Sequence, residues 1–75
     1  MPHITIQMYT GRDEKTKKEI AGKMAEALSS AMNMEKKNIS VSIQEIEKEK
    51  WKAEVYDKVV DENNEEVLIK PGYQM

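Results

Sequence analysis

Residues 2–46 carry three apolar patterns in succession, and their order leaves few folds open. In the first, over Pro2 to Tyr9, Ile4, Ile6 and Met8 alternate with His3, Thr5 and Gln7, the period of a strand with one buried face. In the second, Ile20, Met24, Ala27, Leu28, Ala31 and Met32 fall on one helical stripe. In the third, Ile39, Val41 and Ile43 alternate with Ser40, Ser42 and Gln44, and Ile46 comes after them out of phase, which predicts a second strand from about Asn38 to Ile46. A strand, a long helix and a strand form a right-handed crossover unit whose two strands lie parallel in one sheet. The helix has its punctuation: Thr10-Gly11-Arg12 breaks the first strand, Asp13 is placed to cap the helix, Glu14 sits at the positive helix end, and Asn33 suits a left-handed stop. The expected fold class is therefore α+β, a β-α-β unit.

Such a unit does not satisfy itself. One helix covers one face of a two-stranded sheet, so the other face and both edges are left for a partner. With 75 residues there is room for one domain only, spanning residues 1–75. A chain of this size buries only about 60% of its unfolded surface. Small domains offset that shortage with disulfides, a metal or oligomerisation, and here there is no cysteine and one histidine, His3. Self-association is the remaining route.

The rest of the chain reads as support. Glu47-Lys48-Glu49-Lys50 is a solvated connection, Trp51, Val55 and Val59 suggest a short second helix, and Asp61 to Glu66 is a polar loop. Val67-Leu68-Ile69 is too short to type, and Lys70-Pro71-Gly72-Tyr73 reads as a turn or an extended tail. Twelve basic and fourteen acidic side chains give a net charge of −2, with no positive field for a nucleic acid. Lys15, Lys17, Lys18 and Lys23 are interrupted by Glu14, Glu19 and Glu26, as on a solvated helix face. Apolar runs are too short to span a membrane, and without a signal segment Asn38-Ile39-Ser40 is a coincidental glycosylation pattern. The expected location is cytoplasmic.

The common catalytic motifs are missing. There is no thiol, no set of metal ligands and no glycine-rich phosphate loop, so neither a metal nor a cofactor is expected. Pro2 is the candidate base. Removal of Met1 would convert its tertiary amide into a free secondary amine. An α-amino group titrates near 7.7 to 8.0, and apolar surroundings or a neighbouring cation lower that value toward neutrality. Such a base can take a proton from carbon beside a carbonyl. Arg12 supplies a planar fork that can hold a carboxylate. From these two residues alone the bland reading, a comfortable strand start, outweighs catalysis.

Pro2, the alternating strand, Gly11-Arg12 before an acidic helix start, the long amphipathic helix and the strand ending in Gln44-Glu45-Ile46 together resemble the 4-oxalocrotonate tautomerase family. The resemblance runs without a gap from Pro2 to about Trp51. Ile69-Lys70-Pro71-Gly72-Tyr73, with Trp51 opening a second helix, is similar to a subgroup of small bacterial tautomerases that are dimers and act on phenylpyruvate-like enols. The resemblance implies a β-α-β unit whose sheet is completed by a second copy, with the helices on one face. It implies that the Pro2 amine moves a proton between the hydroxyl and the neighbouring carbon of a 2-hydroxy-alkenoate, giving the 2-oxo acid. It assigns Arg12 to the substrate carboxylate and Trp51 to an apolar pocket wall. One position departs from the pattern: dicarboxylate-specific members carry a second-strand arginine where this chain has Ser40, which favours a monocarboxylate with an apolar tail and leaves enolate stabilisation open.

Other residues take structural readings. His3 should face away from Pro2 as packing or surface. Met8, Met24 and Met32 read as gap-fillers. Lys70 and Tyr73 could close a neighbouring subunit's pocket, although a tail tied down for assembly is the simpler reading. Trp51 could anchor an interface as readily as line a pocket. The expected assembly is a homodimer, with a hexamer also compatible with the open sheet. Rival functions are a proline-dependent hydratase or dehalogenase, and a non-catalytic oligomeric protein that binds small molecules on the same scaffold.

Overall fold

β1 (His3–Tyr9) and β2 (Ser40–Ile46) lie parallel in register, His3 opposite Ser40 through Tyr9 opposite Ile46, in a computed structural model that describes residues 1–75. Ile4, Ile6 and Met8 share one sheet face with Val41, Ile43 and Glu45, while His3, Thr5, Gln7 and Tyr9 share the other with Ser40, Ser42, Gln44 and Ile46. The first strand appears where the alternation predicts it. The second starts later than expected, because Lys36–Asn38 is taken into a 3-10 turn before Ile39 straightens.

The crossover is α1 (Glu14–Met32). Asp13 starts it, with a side-chain oxygen accepting the Thr16 N–H at 2.8 Å, and that bond holds the Asp13 carboxyl below its ordinary pKa. Asn33 stops it at φ 51° and ψ 53°, where its N–H reaches back to the Ser29 and Ser30 carbonyls. α1 packs over β2. It is shared unevenly with the sheet, so Met24, Ala27, Ala31 and Met32 of the sequence stripe remain exposed within one chain, whereas Ile20, Ala21, Ala25 and Leu28 are half-buried.

α2 occupies residues 48–59, with α-helical Lys48–Trp51, a π-helical stretch Lys52–Tyr56 and a last turn Asp57–Val59. It begins earlier than the sequence suggests. Lysine and glutamate form helix well when their charges face water, so the charged stretch expected as a connection becomes the first turn. The wider π turn carries Val55 and Tyr56, which with Ile46 are the only buried residues. The out-of-phase Ile46 is thereby explained, since it belongs to the sheet face opposite α1. No helix is long and apolar enough to cross a membrane. Beyond Val60 the chain is irregular, as the polar loop and tail predict.

This chain exposes far more surface than a self-sufficient one. Its accessible area is 6063 Å², whereas a folded monomer of 8.7 kDa would expose about 4,700 Å². Its radius of gyration is 14.0 Å against about 11 Å for a compact chain of this length.

Candidate active site

At the C-terminal end of β1 an open groove of about 370 Å³ is lined by Gln7, Met8, Tyr9, Arg12, Trp51 and Tyr73. Its strand residues are consecutive and therefore point to alternate faces, which puts the groove along the strand's free edge. Backbone bonds fix the direction of that edge. The Ser40 N–H donates to the Pro2 carbonyl at 3.3 Å and the Thr10 N–H to the Ile46 carbonyl at 3.2 Å, so even-numbered residues of β1 aim their backbone groups at β2. His3, Thr5, Gln7 and Tyr9 consequently present N–H and C=O groups outward, with no partner strand in the chain.

Arg12 enters the groove from the β1–α1 loop. Gly11 precedes it at φ 119°, a conformation that favours glycine through the backbone alone, since a Cβ there would meet nothing within 4 Å. The loop is braced from β2. Glu45 accepts the Gly11 N–H at 3.3 Å through one oxygen and holds Lys17 of α1 at 2.7 Å through the other, while Lys17 also reaches Glu14 at 3.0 Å. Lys17 and then the Gly11 N–H hold the Glu45 carboxyl below its ordinary pKa, and Glu45 and then Glu14 raise that of Lys17. Arg12 itself is exposed, and none of the ion pairs within the chain engages it. Its guanidinium is free for an anionic ligand.

The apolar wall comes from α2 and the tail. Trp51 meets Tyr9 edge to face with ring centroids 5.0 Å apart, and its indole N–H donates to the Tyr73 hydroxyl at 3.0 Å. Tyr73 in turn stacks on buried Tyr56, with centroids 5.6 Å apart. The tail thus packs over its own chain's groove. An apolar aromatic wall beside a free arginine suits a carboxylate that carries an apolar tail.

Pro2 and Ser40 are elsewhere. They flank the opposite end of the sheet, and seven strand steps of about 3.3 Å separate Pro2 from Tyr9 by roughly 23 Å. Ser40 Oγ lies 2.6 Å from His3 Nδ1, and the other ring nitrogen of His3 is 2.9 Å from Ser42 Oγ. His3 is thus surface structure on the face away from α1. Within one chain, Arg12 and Trp51 come together and Pro2 and Ser40 come together, but the two pairs do not meet. Met1 is 97% exposed ahead of Pro2.

Sequence reasoning did not place Tyr9, Gln7 or Met8 in the site, nor the brace from Glu45. Tyr9 carried a signal, because it continues the outer-face parity of the strand beside the break that bears Arg12. Glu45 carried another, as the one charged residue on the apolar parity of β2. That position is costly for a carboxylate unless a cation lies above it.

Residues 2–63 match the family model described as tautomerase enzyme. The chain is 34% identical to Tautomerase PptA of Pectobacterium atrosepticum over 74 residues, 97% of each chain. It is 32% identical to Tautomerase PptA of Enterobacter sp. along the full length of both, and 27% identical to a probable tautomerase of Xylella fastidiosa over 97% of this chain and 89% of the relative.

Proposed function

The chain belongs to the 4-oxalocrotonate tautomerase family and is an isomerase of the tautomerase type, and from that premise we propose that it ketonises a 2-hydroxy-alkenoate with an apolar tail, such as phenylenolpyruvate, with Pro2 as base and acid. The observation that carries this reading is the groove itself, where an unpaired arginine stands beside Trp51, Tyr9 and Tyr73 on a strand edge with no partner.

A second copy would complete both the sheet and the site. Antiparallel pairing of two β1 strands about a twofold axis at Ile6 uses every outward backbone group, matching Thr5 with Gln7 and His3 with Tyr9. It keeps both α1 helices on one face. It also brings Pro2 of one copy beside Thr10 of the other, at the mouth of the groove that holds Arg12. The excess of about 1,300 Å² per chain over a compact monomer is the size expected for an obligate homodimer interface.

In the assembled site Arg12 holds the carboxylate, and the aromatic wall takes the apolar tail and excludes water. The Pro2 amine, exposed once Met1 is removed, takes the proton of the 2-hydroxyl. The electrons of that O–H bond form the 2-oxo group, and the protonated amine returns a proton to the neighbouring carbon. Ser40 meets Pro2 only through its backbone N–H, and its neutral hydroxyl lies against His3 at 2.6 Å, so a second carboxylate would meet no arginine there. Cytoplasmic residence fits a chain without a spanning helix that needs Met1 trimmed.

Two measurements on one preparation test this. An intact mass should show loss of Met1, and the trimmed protein should ketonise phenylenolpyruvate while Pro2→Ala loses about 10²-fold or more in kcat, the scale of one general acid–base group. Equal rates in the two proteins would remove Pro2 from the mechanism. Quantitative retention of Met1 in active protein would do the same.

A further inference from the structure

The groove holds a second polar handle that proton transfer by Pro2 leaves unused, the hydroxyl of Tyr73. It is positioned from two sides, by the Trp51 indole N–H at 3.0 Å and by the stack on Tyr56 at 5.6 Å. A phenol has one proton and two acceptor sites. Trp51 can only donate, so it occupies an acceptor site and the phenolic proton must point elsewhere. None of the hydrogen bonds within the chain uses that proton.

The Trp51 N–H is committed to Tyr73, and the Gln7 amide spends one of its two N–H groups on Gln44 at 2.8 Å across the sheet. Arg12 and the hydroxyls of Tyr9 and Tyr73 are left, and of these two hydroxyls only that of Tyr73 is held in place by a hydrogen bond. A 2-hydroxy-alkenoate has two oxygen-bearing carbons side by side, a carboxylate and an enol whose oxygen becomes enolate-like during proton transfer and ends as the 2-oxo group. The full charge of Arg12 matches the carboxylate. A neutral donor matches the second oxygen, where charge only develops during the reaction. Accepting from Trp51 also polarises the Tyr73 O–H and makes it a stronger donor.

We infer that Tyr73 is a catalytic residue whose hydroxyl donates a hydrogen bond to the 2-oxygen of the substrate, most strongly when that oxygen becomes enolate-like on losing its proton to Pro2, and still when it is the 2-oxo group of the product. The proton stays on Tyr73, and Pro2 carries the proton that moves. This inference rests on the proposed tautomerase site, and it supplies the enolate stabilisation that Ser40 cannot. Trp51 is then both a wall and the positioning residue that aims the phenol.

The test is Tyr73→Phe, which keeps the ring on Tyr56 and removes only the hydroxyl. Turnover of phenylenolpyruvate should fall about 10²-fold in kcat, with KM changed little. Binding is read separately by calorimetry, without turnover, using benzoylformate, a 2-oxo acid that cannot enolise, and phenylacetate, which lacks the oxo group. The variant should bind benzoylformate about tenfold more weakly and phenylacetate unchanged. Equal losses for both ligands would make Tyr73 a packing residue and overturn the inference, and so would no loss for either. Failure of the native protein to ketonise at all would instead remove the functional reading, while the binding pair still judges Tyr73.

Discussion

The proposed pairing of two chains through β1 can be broken at one backbone atom. Thr5 sits on the free edge of β1 with its N–H pointing away from β2, so Thr5→Pro removes a group that the single chain does not use. Proline is tolerated at such an edge, and Ile4 before it is already extended. In the paired dimer the same N–H donates to the Gln7 carbonyl of the second copy. Twofold symmetry then doubles the loss. Each broken bond leaves a buried carbonyl unsatisfied at about 1–3 kcal/mol, so the dimer should weaken by about 2–6 kcal/mol. That corresponds to a dissociation constant raised roughly 30-fold to more than 10⁴-fold.

Sedimentation equilibrium reads this directly against the 8.7 kDa mass of one chain. The native protein should sediment at twice that mass, and Thr5→Pro should dissociate in the micromolar range. Thr5→Ala keeps the N–H and should stay paired, which separates the backbone effect from loss of the side chain. Activity should follow mass, because in the proposed pair Pro2 and Arg12 would meet only across the two chains. A Thr5→Pro protein that remains as tightly paired as the native one would refute the β1 edge as the interface, whatever the assay of activity shows.

Two further substitutions probe the loop that carries Arg12. Asp13→Ala removes the helix cap to Thr16 and should lower the thermal midpoint by a few degrees, whereas Asp13→Asn, which keeps an acceptor oxygen, should lose less; equal losses would mean that the cap does not hold α1. Glu45→Gln keeps an acceptor for the Gly11 N–H but loses the charge that holds Lys17, so KM for the acid should rise several-fold while kcat holds. The pH dependence has a defined sign. Because the Glu45 pKa is lowered on folding, its stabilisation is full above the ordinary carboxylate range and is lost as pH falls through the lowered value. The raised Lys17 pKa gives the opposite limb, with stabilisation present below the ordinary lysine value and lost as pH rises through the raised one. Thermal midpoints of the native protein should therefore fall more between pH 7 and about pH 3 than those of Glu45→Gln. Parallel acid curves would show that the brace contributes nothing.

The β-α-β layout is legible because local patterns are enough to specify it. Alternation in Ile4, Ile6 and Met8, a helix capped at Asp13, and a left-handed stop at Asn33 are decided by neighbours a few residues away, and each occurs where the sequence predicts it. The errors fall where a local rule meets a non-local one. Residues 48–50 look like solvated linker, yet a helix with charged outer positions has the same composition, and burial of Val55 and Tyr56 decides between them. Ile46 looks out of phase for the same reason: it is buried on the sheet face opposite α1, which no periodicity within the strand can announce.

The candidate site shows the same division more sharply. Pro2, Arg12 and Trp51 can be picked out as residues with suitable chemistry, but chemistry alone does not say that roughly 23 Å of strand lies between Pro2 and the end of β1 that leads to Arg12. Parity supplies the missing step. Pro2 and Thr10 both aim their backbones at β2, so the odd residues between them form an outward edge that is symmetric about Ile6 and can pair with its own copy. With Pro2 at one end of the strand and Arg12 beyond the other, the proposed site would be completed by antiparallel pairing of that edge. Parallel pairing would leave amine beside amine. The separation of Pro2 from Arg12 and the way in which a second copy would close it thus follow from one geometric fact, the free edge of β1.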